Sequence, residues 1–178
     1  LTETGAWRVN RMDVPFYFRR NPEPGEPTPI GGFYTQEDVK EMVAYAAERQ
    51  IEIIPEIDMP AHSNAALAAY PELTCPIVKS YIGVIPGLGG GNSGVIYCAG
   101  KDSAFTFLQN VLDEVMALFP SRYIHLGGDE AQKGYWEKCP LCQARMKNEH
   151  LDNEEDLQGY FMKRMSDYVC SKGRKVIG

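Results

Sequence analysis

Two short stretches concentrate the side chains able to move protons. Glu56-Ile57-Asp58-Met59-Pro60-Ala61-His62-Ser63 holds two carboxylates and a histidine, and His125-Leu126-Gly127-Gly128-Asp129-Glu130 ends on adjacent acids. The Gly127-Gly128 pair permits a sharp turn, so Asp129 and Glu130 can both face one cavity. Two carboxylates that close do not both ionise easily in one site. One stays charged while the other holds a proton near neutral pH, the division of labour that general acid catalysis requires. Simpler readings stand beside this one. Asp129 and Glu130 can be acids in the first turn of a helix. Asp58 can be an N-cap and His62 a hydrogen-bonded polar histidine. His125, inside a strand pattern, can equally be a core histidine bonded to a neighbouring strand. His150 lies in a polar stretch and carries no assignment.

The elements that must position these residues repeat three times as amphipathic helix, short turn and apolar strand. Thr35 and Asp38 resemble a capping box, and Val39, Met42, Val43, Ala46 and Ala47 follow at helical spacing. That helix ends near Gln50 and runs into a strand over 51–57. A second helix begins at Asp102 or Ser103, aligns Phe105, Leu108, Leu112, Val115 and Phe119, and stops at Pro120 before the strand Tyr123-Ile124-His125-Leu126. A third, over 154–172, aligns Leu157, Phe161, Met165 and Tyr168, ends at Gly173 and leads into Lys175-Val176-Ile177. Strict alternation of this kind means βα units, a parallel sheet and the α/β class. The helix-to-strand turns are short, whereas the strand-to-helix segments 58–101 and 128–153 are long. Sites in parallel α/β folds lie at the carboxyl ends of strands, so these segments are expected to surround a site as long loops. Residues 1–34, with Pro15, Pro22, Pro24, Pro27 and Pro29, read as a loop-rich surface excursion leading into the repeat.

Composition agrees with one globular domain: 178 residues, 44% hydrophobic, with 10 Tyr, 7 Phe and 2 Trp for a core. A net charge of −6 with scattered Lys and Arg argues against nucleic acid as a partner. No apolar run approaches the ~20 residues of a membrane span. The 17 Gly and 12 Pro exceed average usage and imply long, shaped loops. Gly83, Gly87, Gly89, Gly90, Gly91 and Gly94 do not make a phosphate loop, because no Lys-Ser/Thr follows them. Cys75 and Cys98 flank that glycine-rich stretch at a spacing suited to a disulfide. Cys139-Pro140-Leu141-Cys142 is a single CxxC with no second pair to complete a zinc site, so no metal is assigned and Cys139 and Cys142 join the candidate disulfide cysteines. Reduced thiols, or a metal or redox role, are the alternatives. Cys170, on a helical apolar face, reads as a buried core thiol. Structural disulfides favour a secreted, periplasmic or lysosomal setting over the cytoplasm. A start at Leu1 without Met, and a stop just after Val176-Ile177, suggest part of a longer protein.

At the two acid-bearing stretches the sequence resembles the catalytic domain of glycoside hydrolase family 20, the β-N-acetylhexosaminidases. Leu1-Thr2-Glu3-Thr4-Gly5-Ala6-Trp7-Arg8 is similar to the segment after that family's second barrel strand, and Gly31-Gly32-Phe33-Tyr34-Thr35 to the lead into the next helix. Ile54-Pro55-Glu56-Ile57-Asp58-Met59-Pro60-Ala61-His62-Ser63 resembles the end of the third strand, where the family commonly has Gly in place of Ala61. His125-Leu126-Gly127-Gly128-Asp129-Glu130 resembles the signature of the fourth strand, and the likeness runs over nearly the whole chain. It implies a fragment of a (β/α)8 TIM barrel, from about strand three to the start of strand five with their helices. It also implies retaining, substrate-assisted removal of terminal β-linked GlcNAc or GalNAc through an oxazolinium intermediate, without a cofactor. Glu130 would be the general acid/base, Asp129 would hold the N–H of the substrate acetamido group, and Asp58 and His62 would lie beside them, with His62 bonding toward Glu130. An arginine that grips sugar hydroxyls would lie before Leu1. The aromatic box, a Tyr-Asp pair, a late Trp-Glu and the usual Trp-Asp-Glu of the fifth strand would lie after Gly178.

Two other functions fit less well. A metal-dependent hydrolase could use Asp58, His62, His125, Asp129 and Glu130 as ligands, but neither a three-ligand zinc spacing nor H-E-x-x-H is present. A non-catalytic sugar-binding or structural member of the same fold is the other, and the presence of both Asp129 and Glu130 counts against it. The 178-residue chain alone is expected to be inactive, because outer strands would have unpaired edges.

Overall fold

The computed structural model describes residues 1–15, 18–86 and 94–178. Gly87, Gly89, Gly90 and Gly91 of the glycine-rich stretch lie outside the described residues. The lead-in is more than a surface excursion. Strands β1 (Trp7–Arg8) and β2 (Ile30–Gly31) pair antiparallel, with Trp7 opposite Gly31. Gly31 permits this approach, since a Cβ there would sit 2.0 Å from the carbonyl oxygen of Ala6.

Helix α1 (Gln36–Ala47) starts on the expected capping box. Thr35 Oγ1 accepts the Asp38 N–H at 3.1 Å, and the Asp38 carboxylate accepts the Thr35 N–H at 2.8 Å. Its apolar stripe is largely uncovered: Ala46 is buried, whereas Met42 is exposed. The two long segments also differ from expectation, because both contain helices. Residues 58–101 hold α2 (Asn64–Ala69) and a 3-10 turn (Pro71–Leu73), before α3 (Asp102–Leu118). After β3 (Tyr123–His125), residues 128–153 hold α4 (Pro140–Glu149). Pro71 and Pro140 both stand where a helix begins, the position at which a missing amide hydrogen costs least. The repeat closes with α5 (Glu154–Ser171) and β4 (Lys175–Ile177).

Strands β3 and β4 are parallel, with Ile124 opposite Val176. The expected strand over 51–57 is realised only at its end, as a parallel bridge between Glu56 and His125. The His125 N–H donates to the Pro55 carbonyl, and the amides of Ile57 and Met59 donate to His125 and Leu126. Pro55 has no N–H of its own, which limits the ladder. The resulting parallel order is the 55–59 segment, β3, then β4.

The helices cover one face of this sheet. Ile124, Leu126 and Met59 are fully buried there against α3 and α5. The α3 core face is Ala104, Phe105, Leu108, Leu112 and Met116, while Val115 and Phe119 fall at its margin. The α5 face is Leu157, Phe161, Met165 and Val169, a run at i+4. Tyr168 sits at the edge, its hydroxyl donating to Asp113 at 2.7 Å. Cys170 is exposed, not a core thiol, because it lies one residue past Val169 and therefore about 100° around the helix. Phe105 and Phe161 meet at 4.6 Å between ring centroids, with Trp136 stacked on Phe161. Each such side chain stabilises the fold by about 2–3 kcal/mol through burial.

All five cysteines are unbridged, so the expected Cys75–Cys98 disulfide is not formed. Cys75, Cys98, Cys139 and Cys142 are instead buried together. The sulfur of Cys142 is 3.7 Å from Cys75 and 3.6 Å from Cys98, and Cys98 is 3.8 Å from Cys139. An S–S bond requires about 2.05 Å. Among the described residues no helix is long and apolar enough to cross a membrane.

Candidate active site

Alternation along the strands decides which side chains reach the site. Ile57, Met59, Ile124 and Leu126 point into the helical layer, so Glu56, Asp58 and His125 take the opposite face. The chain then leaves β3 through Gly127 (φ +64°) and Gly128 (φ +110°), both in conformations that L side chains rarely adopt. Gly127 is required twice over. A Cβ on it would lie 1.9 Å from Oδ1 of Asp58 and 2.4 Å from its Cγ. The turn is held from both sides: Asp58 Oδ1 accepts the Gly128 N–H at 3.1 Å, and the Gln158 amide of α5 donates to the Gly128 carbonyl at 2.6 Å.

Beyond this turn, the acids converge on one histidine. His62 Nε2 lies 3.3 Å from Oε2 of Glu130 and 3.7 Å from Oδ2 of Asp129. His62 (φ +48°) and Glu130 (φ +51°) both adopt the left-handed region, a backbone cost concentrated at the two residues that meet. Behind His62, the buried Ser63 hydroxyl donates to the Pro60 carbonyl at 3.0 Å. Asn64 ties this end to the facing wall, donating to the Gly83 carbonyl and accepting the Ile85 N–H. Burial raises the Asp58 carboxyl above its ordinary range, and the charges of Asp129 and Glu56 add to the effect. The Gly128 N–H and His62 oppose that shift. Asp129 and Glu130 themselves are exposed to solvent.

His125 takes a different place. Its Nδ1 accepts the Gly127 N–H at 3.0 Å and lies 3.3 Å from a carboxylate oxygen of Glu56. It braces the strand end and is not joined to His62. Of the five side chains considered as metal ligands, Asp58, His62 and Asp129 bring their ligand atoms within 4.8 Å of one another.

Of these groups, His62 and Glu130 line a cavity of about 870 Å³, within the range of small-molecule sites, whereas Asp58, Asp129 and His125 are not among its walls. Its walls include His62, Asn64 and Val95 from residues 58–101, Glu130 and Gln132 from residues 128–153, and Arg8 from β1. Both long segments wall this cavity. The lead-in does too, which sequence reasoning missed by treating 1–34 as peripheral. Asn64, Gln132 and Gln158 carry no motif, and Arg8 ends the Leu1–Arg8 stretch without a role of its own; their position in space brings them to the site. Chemically, a histidine between two exposed carboxylates can pass or share a proton, and Arg8 supplies positive charge to the same cavity.

Carboxylates at the carboxyl ends of parallel strands, beside an open cavity, are the arrangement expected of a hydrolase-type α/β site. The family model described as glycosyl hydrolase family 20, catalytic domain, matches residues 1–178, and the chain belongs to that family. Family membership carries a TIM-barrel-type α/β fold, of which the described residues hold a few strands. A beta-hexosaminidase of Porphyromonas gingivalis is 44% identical over 180 residues, covering 100% of this chain and 23% of the relative. One of Akkermansia muciniphila is 41% identical over 92% of this chain and 34% of the relative. Among solved structures, the beta-N-acetylhexosaminidase of Bacteroides fragilis is 46% identical with a TM-score of 0.72, covering 99% of this chain and 33% of its own. An exo-β-N-acetylglucosaminidase of Vibrio harveyi, in complex with N-acetylglucosamine, is 32% identical with a TM-score of 0.76, over 98% of this chain and 26% of its own. The chain thus spans about a quarter to a third of the length of these relatives.

Proposed function

We propose that this chain is the central part of a retaining exo-β-N-acetylhexosaminidase, contributing barrel strands three and four and the start of strand five. The observation that carries the reading is the meeting of Glu130 and Asp129 at His62 on the rim of the cavity. Glu130 is the general acid that protonates the glycosidic oxygen and then, as a base, activates water. Asp129 accepts the N–H of the substrate's 2-acetamido group and offsets positive charge while the acetamido oxygen attacks C1. The bond that forms is O–C1 of an oxazolinium ring, the bond that breaks is C1–O of the leaving group, and water later opens the ring with retention. His62 bonds toward Glu130, and the partly desolvated Asp58 holds the Gly128 turn beneath the pair. The substrate is a glycan with a terminal β-linked GlcNAc or GalNAc. The names of the relatives support this class, as does the complex of the Vibrio harveyi enzyme with N-acetylglucosamine.

The test uses an aryl β-N-acetylglucosaminide and the protein carrying its complete catalytic domain. Glu130→Gln should lower kcat by about 10²–10⁴-fold or more. Asp129→Asn should selectively impair substrates that rely on acetamido participation. Equal turnover of the matching glucoside, which lacks the acetamido group, overturns the mechanism. The 178-residue chain alone should not turn over either substrate.

A further inference from the structure

Away from the carboxylates, four buried thiols form a second constellation that the glycosidase chemistry does not use. Cys75, Cys98, Cys139 and Cys142 bring all four sulfurs within 4.8 Å of one another. Three of the pairs lie at 3.6, 3.7 and 3.8 Å. A tetrahedral zinc tetrathiolate with Zn–S of about 2.3 Å has sulfur–sulfur edges of about 3.8 Å. Two disulfides would instead require two pairs near 2.05 Å. Packed apolar thiols would not need four sulfurs from three parts of the chain to share one centre.

The backbone around the thiols is shaped for that meeting. Cys139 and Cys142 open α4 in the C-x-x-C spacing that turns two sulfurs toward one point. Cys75 and Cys98 follow the two residues of the isolated antiparallel Thr74–Tyr97 bridge, with the Cys98 N–H donating to the Leu73 carbonyl at 3.0 Å. The backbone of Gly100 donates to the Cys98 sulfur, an amide-to-sulfur bond of the kind that supports a metal-bound thiolate. Gly100 also lets the two halves close. A Cβ there would sit 2.3 Å from the carbonyl carbon of Leu141 and 2.6 Å from the amide nitrogen of Cys142. The donor set is soft, closed and fully buried, with no open position for water, which suits a structural zinc ion and not a catalytic one.

We propose that Cys75, Cys98, Cys139 and Cys142 form a structural zinc site that cross-links the two segments walling the active-site cavity. Binding would release a proton from each thiol still protonated and leave a Zn(S-Cys)4 centre. Its consequence is mechanical. Residues 58–101 supply Val95 to the cavity and residues 128–153 supply Gln132, and the metal would fasten these segments a few residues away. The Trp136 indole N–H, donating to the Tyr97 carbonyl at 2.9 Å, ties the same two segments beside the site.

The test is metal analysis of the protein purified without chelator, combined with thiol titration. About one zinc per chain is expected. All five thiols should titrate after denaturation with a chelator, without prior reduction. Cobalt(II) replacing the zinc should give the visible ligand-field bands of a tetrahedral thiolate site, with intense sulfur-to-metal bands in the near ultraviolet. Cys170→Ser should keep the metal, whereas Cys142→Ser and Cys98→Ser should each lose it. If those two variants do not fold, the wild-type metal content and cobalt spectrum still decide. Wild-type protein without zinc overturns the proposal, whether only Cys170 titrates, as two disulfides would give, or all five thiols titrate on a metal-free core.

Discussion

Replacing Gly127 with alanine tests whether the turn after β3 holds the site together. The new Cβ would lie 1.9 Å from Asp58 Oδ1, so the carboxylate must withdraw by roughly 1.5 Å to reach ordinary contact. That movement breaks its 3.1 Å bond from the Gly128 N–H, a charged hydrogen bond of about 1.5–3 kcal/mol. The left-handed φ of +64° adds about 1–2 kcal/mol for any residue with a Cβ. A loss of about 2.5–5 kcal/mol is therefore expected in urea denaturation. In the protein carrying its complete catalytic domain, and on the function proposed above, misplacing Asp58 and the turn carrying Asp129 and Glu130 by about 1 Å should lower kcat/KM on an aryl β-N-acetylglucosaminide by about 10²-fold. Gly173→Ala is the control. It has a similar φ of +79° but nothing within 4 Å of the new Cβ, so it should lose only about 1–2 kcal/mol and keep its activity. Equal destabilisation by the two substitutions, or wild-type kcat/KM for Gly127→Ala, would refute the claim that Asp58 and Gly127 fit against one another.

Asp58→Asn should increase stability at neutral pH, with the gain disappearing on acidification. Burial raises the Asp58 carboxyl above its unfolded value, so its stability contribution is fully present below the unfolded pKa and is lost as pH rises through the folded one. Urea midpoints across the acidic range measure this, and a pH-independent difference argues against it. Asp102 has the opposite sign, because the hydrogen bond from Arg164 and the neighbouring Arg145 hold its carboxyl below the usual range. Asp102→Asn should therefore cost about 0.5–1 kcal/mol at neutral pH, a loss that vanishes as pH falls through the lowered pKa and shrinks in high salt. Trp136→Phe should cost about 2–4 kcal/mol in denaturant unfolding, because it leaves the buried Tyr97 carbonyl without its indole donor and opens space beside Phe161.

Local signals in the chain point to an α/β class of fold and single out the candidate acids. The periodicity around Phe105, Leu108 and Leu112, and around Leu157, Phe161 and Met165, is a local signal that survives in the structure as the buried faces of α3 and α5. The capping box at Thr35 is local as well, and it forms. The helix α4 was hidden because its apolar pattern is weak and its start is marked only by Pro140 after a cysteine. The exposure of Cys170 turned on a rotation of one residue around α5, finer than a stripe read from sequence resolves. The candidate acids were legible because Asp129-Glu130 are adjacent and follow two glycines, but the pairing of His62 with them depends on Met59 and Leu126 hydrogen-bonding across two strands. Only the tertiary structure brought Arg8 and Gln132 to one cavity, and only it gave the lone C-x-x-C its second pair. Cys75 and Cys98 lie far apart from each other and from Cys139 along the chain. Their meeting is set by the close approach at Gly100, a contact between backbones that no spacing rule records.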